Sequence, residues 1–437
     1  MMRKLKSLRT PFFLAALILI PAAFLPARAG AGTIHYAAVE GIVNPVQAEF
    51  IIKTVKRASD ESAEAVVLQI DTPGGLDLSM RDIVKTILSS EVPVVVYVAP
   101  AGSRAASAGV FITYAAHAAA MSPGTNIGSA HPVMMGAGGS EKMDDEIKKK
   151  IENDAVAYLR GIAGKRGRNA EWAEQAVRQS VNITAEEALR LRVIDILAPS
   201  REELFKKLDG MRVETAGGAR VLRTKDADVK EVEMNLRYRL LNVITNPNVA
   251  YILMMIGLTG LYFELSNPGL ILPGVVGAVS LVLAFYAFQT LPINYAGLLL
   301  IALGVFFFVL EIKIVSYGLL SIAGIISLVL GSMLLFDTTL PFMKVSFSVM
   351  LPMILFVAGI LVFTMYWAAS IHKRRPVSGA EGFKDKIGKA VTNIDTADGK
   401  VFVEGEYWSA VSDAPIKEGE SIKVISLDGM TLKVTKA

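Results

Sequence analysis

Apolar residues fall along this chain in several distinct patterns, and each predicts a different kind of element. From Phe12 to Leu25 they run without a charge behind the basic residues Arg3, Lys4, Lys6 and Arg9. Ala27-Arg28-Ala29 then supplies the small side chains of a cleavage site. That order predicts an export signal over residues 1–29, with the chain from Gly30 onward translocated. Between 33 and 210 the apolar runs are short. Tyr36–Val43, Ala65–Ile70 and Val92–Val98 suit buried parallel strands, and helical spacing fills 45–59 and 76–90 between them. Strands alternating with helices predict an α/β domain over 30–210 with crossover connections. Residues 211–247 turn polar around Gly217-Gly218 and read as a linker.

The pattern then changes again. From 248 to 371 the only charged residues are Glu264, Glu311, Lys313, Asp337 and Lys344. Apolar stretches near 249–265, 271–290, 294–312, 316–336 and 347–371 predict a multi-span α-helical membrane domain of about five crossings. Glu311 and Lys313, near the end of the third stretch, are expected to reach toward the interface. The tail, 378–437, alternates over short strand-like segments at 388–394, 401–411 and 421–436. With hairpin turns expected at Asp398-Gly399 and Asp428-Gly429, this predicts a small all-β OB-like barrel.

Composition narrows the function classes. The chain is 52% hydrophobic with a net charge of +4, too small a basic excess to suggest nucleic acid. The tail carries eight Lys, no Arg and ten Asp plus Glu, so it lacks a basic footprint as well. The absence of cysteine excludes disulfides, thiolate metal sites and a cysteine nucleophile. No cofactor and no metal are expected. Five crossings put the α/β domain outside and the C-terminal domain in the cytoplasm of a multi-pass protein of the cell (inner) membrane. His372-Lys373-Arg374-Arg375, directly after the last stretch, agrees with the positive-inside rule.

Candidate chemistry sits in the α/β domain. Asp71-Thr72-Pro73-Gly74-Gly75 follows a predicted strand, and paired glycines there allow close backbone approach with N–H groups presented outward. Ala105-Ala106-Ser107-Ala108-Gly109 also follows a strand and turn. Small neighbours let Ser107 sit at a helix start, where free N–H groups and the helix dipole stabilise an oxyanion; a plain helix cap is the alternative. A serine nucleophile needs a base. His131 in Gly128-Ser129-Ala130-His131-Pro132 is one candidate, while His117 lies in an alanine-rich run and reads as packed. Lys148-Lys149-Lys150 offers another, and helical spacing does not choose among the three.

These residues together resemble the long-form NfeD proteins, membrane-bound serine peptidases. The resemblance rests on Leu68–Gly75, Ala105–Gly109 and Ser122-Pro123-Gly124-Thr125-Asn126-Ile127-Gly128, and covers nearly the whole chain from Gly32. It implies an α/β ClpP/crotonase-like protease domain, a membrane block and an OB-like tail. It also implies Ser107 as nucleophile and Lys150 as base. Lys150-Ile151-Glu152-Asn153, Ala157-Tyr158 and Gly167-Arg168-Asn169 reproduce the family's lysine-side pattern. Oxyanion donors are implied at the Gly74-Gly75 turn and at Ala108. His131 is kept as the alternative base, and Ser180 stands where a Clp-type triad would carry its acid. The implied substrate is an apolar peptide or protein segment near the membrane. The implied partners are a stomatin/SPFH-type protein and further copies of the chain. A non-catalytic membrane scaffold for such a partner is the competing class. An acyl-CoA enzyme on the same fold is disfavoured by export.

Overall fold

In a computed structural model of the chain, residues 32–133, 145–266, 269, 271–314, 316–336, 338, 341–372 and 380–437 are described. The expected export signal and Lys373-Arg374-Arg375 lie outside the described residues. The α/β part opens with β1 (Thr33–Glu40), α1 (Pro45–Asp60), β2 (Ala65–Asp71), α2 (Asp77–Leu88), β3 (Val94–Val98), β4 (Arg104–Ala106), α3 (Ala108–Ala115), β5 (Ala118–Met121) and β6 (Asn126–Gly128). It continues with α4 (Asp145–Arg166), α5 (Ala170–Arg178), β7 (Asn182–Thr184), α6 (Ala185–Arg190), β8 (Ile196–Leu197), α7 (Arg201–Leu208), β9 (Arg212–Thr215), β10 (Gly218–Val221), β11 (Asp228–Glu231) and α8 (Leu236–Ile244).

Local chemistry accounts for the helix starts. Pro45 opens α1 with Asn44 accepting the Gln47 N–H at 2.9 Å, and Thr184 with Glu187 forms a capping box on α6. The main sheet is six-stranded and parallel, in the order β11-β1-β2-β3-β5-β8. Period-two alternation divides its side chains between two cores. Val66, Leu68, Val94 and Val96 join α1 to α3 on one face. Ala65, Val67, Val95 and Tyr97 meet Leu204, Phe205 and Leu208 of α7 on the other. A second sheet, β4-β6-β7, leaves the first where Thr72 pairs with Ala105.

Residues 211–247 depart from the expected linker. They hold the β9–β10 hairpin, the edge strand β11 on β1, and α8. An edge strand this short and polar has no alternating apolar signature for the sequence to display.

Among the described residues the membrane part contains five apolar helices: α9 (Pro247–Ser266), α10 (Ile271–Phe288), α11 (Tyr295–Lys313), α12 (Leu319–Leu334) and α13 (Phe347–His372). Of these, α9 and α10 are long and apolar enough to cross a membrane by length and composition. The other three carry shorter apolar stretches over 295–311, 319–334 and 347–363. Glycines let backbones meet. A Cβ on Gly260 of α9 would lie 2.4 Å from the Pro273 carbonyl oxygen, and one on Gly304 of α11 would lie 2.9 Å from that of Gly324 in α12.

The tail begins with α14 (Ala380–Phe383) and closes a five-stranded barrel from β12 (Ile387–Ala390), β13 (Lys400–Val403), β14 (Glu406–Val411), β15 (Ser421–Asp428) and β16 (Thr431–Lys436). The expected turn at Asp428-Gly429 joins β15 to β16. Asp398-Gly399 closes the 391–399 connection between the antiparallel strands β12 and β13, and a further reversal at Glu404-Gly405, with φ of 55° and 89°, divides the expected 401–411 strand into β13 and β14. Two positive φ values form the primed turn that matches strand twist, a role more often filled by Asn-Gly.

Glu311 also differs from expectation. Its carboxylate accepts from Ser316 Oγ at 2.6 Å and from the N–H groups of Gly318 and Ser321 at 2.9 and 3.0 Å. It therefore caps the start of α12 together with Ser316, whose hydroxyl oxygen accepts from the Leu320 N–H at 3.2 Å. Glu311→Ala is expected to destabilise the chain by about 1–2 kcal/mol, the range for a lost cap, with Glu311→Gln milder. Thermal unfolding in detergent measures both.

Candidate active site

Ser107 stands between β4 and α3 with φ 51° and ψ −110°, outside the regions that residues with a Cβ ordinarily occupy. Its N–H donates to the Gly128 carbonyl of β6 at 3.0 Å. Its side chain makes no cap bond to α3, which sets aside the plain N-cap reading. The glycine turn lies against it. A Cβ on Gly74 would come 2.8 Å from Ser107 Cβ and 3.2 Å from its Oγ, and Gly74 has φ +124°. Gly75 is equally constrained, since a Cβ there would meet the Val43 carbonyl oxygen at 2.1 Å.

The two glycines differ in what their N–H groups do. Gly74 N–H donates to Thr72 Oγ1 at 3.0 Å, and the Thr72 hydroxyl donates back to the Gly74 carbonyl at 3.1 Å. Among the described residues, Gly75 N–H has no acceptor. Ala108, the first residue of α3, has no intrahelical acceptor for its N–H either. The far end of α3 is closed by arginines. Arg168, nearly fully buried, donates to the carbonyls of Tyr114 and Ala116 at 2.7 and 2.8 Å and to Asp195 at 2.5 Å. Arg166 donates to the Ala115 carbonyl at 2.8 Å. Cations at a helix C-terminus complement its dipole, so the charges favour an anion at the Ser107 end as well. Burial, with Arg168 beside it, lowers Arg166 to about 10.

A cavity of about 570 Å³ opens at this point. Ser107, Ala108, Gly75 and Lys150 line it together with the apolar side chains of Leu76, Met80, Phe111, Val133 and Ile151. Lys150 is exposed on the second turn of α4. Lys148 points to Asp145 at 3.5 Å instead, and neither it nor Lys149 is among the lining residues. The motif around Lys150 anchors its helix. Arg178 donates to Glu152 at 2.7 Å and to Asn153 at 2.9 Å, and Arg81 reaches Asp154 at 2.5 Å while lying over the Tyr158 ring. Arg81 was not singled out by sequence reasoning; its spacing of four from Asp77, which it binds at 2.8 Å, was the available signal.

His131 does not line the cavity, although Ala130, Pro132 and Val133 do. Its ring Nδ1 donates to the Val177 carbonyl at 2.9 Å. Among the described residues no carboxylate pairs with it, and Ser180 is exposed. His117 is packed as expected, its Nδ1 accepting the Val94 N–H at 3.0 Å. Burial, followed by the Arg166 charge, pushes it down to about 3.

The chain matches three domain families in order. They are the NfeD1b N-terminal domain over 33–230, the NfeD integral membrane domain over 248–367 and the NfeD-like C-terminal, partner-binding domain over 380–436. It is 34% identical over 413 residues to the membrane-bound protease PH1510 of Pyrococcus horikoshii, covering 92% of this chain and 93% of that one. The membrane protein NfeD1b of Bacillus subtilis is 26% identical over 426 residues, with 94% of each chain covered. Among solved structures, the 1510-N membrane protease specific for a stomatin homolog from P. horikoshii aligns at 30% identity with a TM-score of 0.43, over 49% of this chain and 98% of that one. A lysine-to-alanine mutant of 1510-N in complex with a substrate peptide aligns at 30% identity with a TM-score of 0.46, over 48% and 97%.

The depressed His117 has a consequence for stability. Between its ordinary 6.5 and about 3 the unfolded chain binds a proton there that the folded chain excludes. Folded stability therefore falls as pH drops through that window, by up to about 1.4 kcal/mol per unit. His117→Gln, which retains an acceptor for Val94, is expected to flatten that dependence in unfolding midpoints compared at pH 7 and pH 5.

Proposed function

The chain belongs to the NfeD family of membrane proteins, and on that footing we propose that it is a membrane-anchored serine endopeptidase working through Ser107 and Lys150. The observation that carries the reading is the cavity in which Ser107, Lys150 and two N–H-bearing residues, Gly75 and Ala108, meet a largely apolar lining that also carries Asp77, Arg81 and Asp154. Ser107 Oγ attacks a peptide carbonyl and gives its proton to the neutral amine of Lys150, which then protonates the leaving amine. The N–H groups of Gly75 and Ala108 receive the oxyanion. Gly74 serves instead as the only kind of residue that fits against Ser107, since its N–H is held by Thr72. Water entering after the first product leaves hydrolyses the acyl-enzyme.

An exposed lysine is a poor base in water because its charged form is well solvated. An apolar segment laid in the cavity covers Lys150 and removes that solvation, so the lining and the choice of base support one another. This favours apolar segments of membrane-associated proteins as substrates. A relative specific for a stomatin homolog makes a stomatin/SPFH-type protein the first partner to test. Self-association of the α/β domain belongs to the same reading. The five apolar helices, taken as five crossings, put the α/β domain outside the cytoplasm and the barrel inside.

Cleavage of a stomatin-type partner by the full chain in lipid vesicles tests the assignment. Ser107→Ala and Lys150→Ala are each expected to lower kcat by at least about a thousandfold, with His131→Ala within a few-fold of wild type. Unchanged cleavage by Ser107→Ala would overturn Ser107 as the nucleophile, and a wild-type chain that binds the partner without cleaving it would leave the non-catalytic scaffold reading; activity kept in Lys150→Ala and lost in His131→Ala would make His131 the base. A reporter fused after Ala437 is expected to read cytoplasmic, and an external signal overturns the five-crossing arrangement.

A further inference from the structure

The helix α8 has two opposed faces with very different surroundings. On one, Tyr238 packs against Phe50 of α1 with ring centroids 6.4 Å apart. Its hydroxyl donates to Glu49 at 2.9 Å and accepts from Lys53. One turn on, Asn242 accepts from Asn44 at 2.9 Å, and Thr245 accepts from the same amide at 3.1 Å. These contacts hold α8 to the α/β domain. The opposite face carries Leu236, Leu240 and Val243, spaced i, i+4 and i+7, with relative exposures of 82%, 57% and 51%. Three aliphatic side chains in one stripe are left without cover among the described residues.

Two further observations say what covers them. Ile244 ends α8, and only Thr245 and Asn246 separate it from Pro247, where the apolar helix α9 begins; α8 also contacts α10. The stripe thus lies where the chain enters the membrane domain. At 100° per residue Arg237 and Arg239 fall on opposite flanks of the stripe, between it and the docked face, and both are exposed. An apolar stripe bordered by guanidinium groups has the pattern of a helix lying in the bilayer interface, its aliphatic side chains among the acyl chains and its cations among anionic headgroups.

We propose that α8 is an interfacial helix that seats the α/β domain on an anionic lipid surface through Leu236, Leu240 and Val243. Its other face clamps α1, so the bilayer surface and the α/β domain share one rigid element. The cleft then stands at a fixed height above the membrane, and substrate segments within that height are the ones presented to Ser107. The lipid contact does not depend on whether the domain is a protease, and its test reads no activity.

The chain contains no cysteine, so Leu240→Cys gives a unique attachment site for an environment-sensitive fluorophore. The labelled full-length chain is placed in vesicles of phosphatidylcholine and phosphatidylglycerol. It is then quenched in turn by nitroxide-bearing lipids and by aqueous iodide. Arg220→Cys on the exposed β10 strand serves as the aqueous reference, and Val243→Cys repeats the measurement on the same stripe should the first variant fail to fold. The expected result is strong quenching by the lipid nitroxide and several-fold weaker iodide quenching than at position 220. Iodide quenching equal to the reference overturns the proposal, as does shielding from both quenchers, which would mean that protein covers the stripe.

Discussion

The arrangement of the α/β domain depends on one strained residue. A serine at φ 51° and ψ −110° costs on the order of 1–3 kcal/mol relative to ordinary backbone, and persists only where its surroundings allow no other conformation. Three constraints supply that. Its N–H is tied to the Gly128 carbonyl, its side chain is backed by Gly74, and the helix that follows is held at its far end by Arg168 and Arg166. Gly128 in turn has φ +151°, and a Cβ there would lie 2.2 Å from the Val181 carbonyl oxygen. The small second sheet is therefore less a core element than a support for one backbone conformation. Its three strands place Gly128 beside Ser107 and join Thr72 to β4, which brings the glycine turn and the serine turn to the same edge.

That support shows which parts of the site were legible in the sequence. Ser107 and Gly74-Gly75 stood out because the constraint on them is local: a tight turn needs small residues next to one another in the chain. The buried strands were legible for a similar reason, as continuous Val, Ile and Leu runs have few other places to fold. Arg168 was legible only as part of a motif, not as what it does. Its work is to satisfy the carbonyls of Tyr114 and Ala116, more than fifty residues back in sequence, and to pair with Asp195 ahead of it. No periodicity announces a polar contact of that range. The Glu404-Gly405 turn and the cap by Glu311 share this character, since each places a residue type by what the fold leaves unsatisfied rather than by a pattern in the chain.

The two glycines differ in the structure in a way the sequence leaves open. Both sit in one motif, both are sterically required, and both lie next to the serine. They separate only when each N–H is followed to its acceptor. Thr72, one position upstream of Pro73, occupies the first, while the second has no acceptor among the described residues. The threonine is thus part of the oxyanion question although it touches no proposed reacting atom. Its hydroxyl decides which amide of the turn is available.

Burial along α4 bears on how the proposed dyad is regulated. Residues 145–150 are exposed throughout, whereas Ala155, Leu159, Ile162 and Ala163 are buried farther along. The firmly packed part of the helix therefore begins one turn after Lys150. The ion pairs from Arg81 and Arg178 hold the intervening turn, but partly exposed pairs of this kind contribute little individually. Lys150 lines the cavity from an exposed position. On the proposed reading, a bound apolar segment would supply both packing and desolvation at the same moment, tying the base to the presence of a substrate chain. On that reading, selectivity for apolar segments would be a property of the catalytic step as well as of binding.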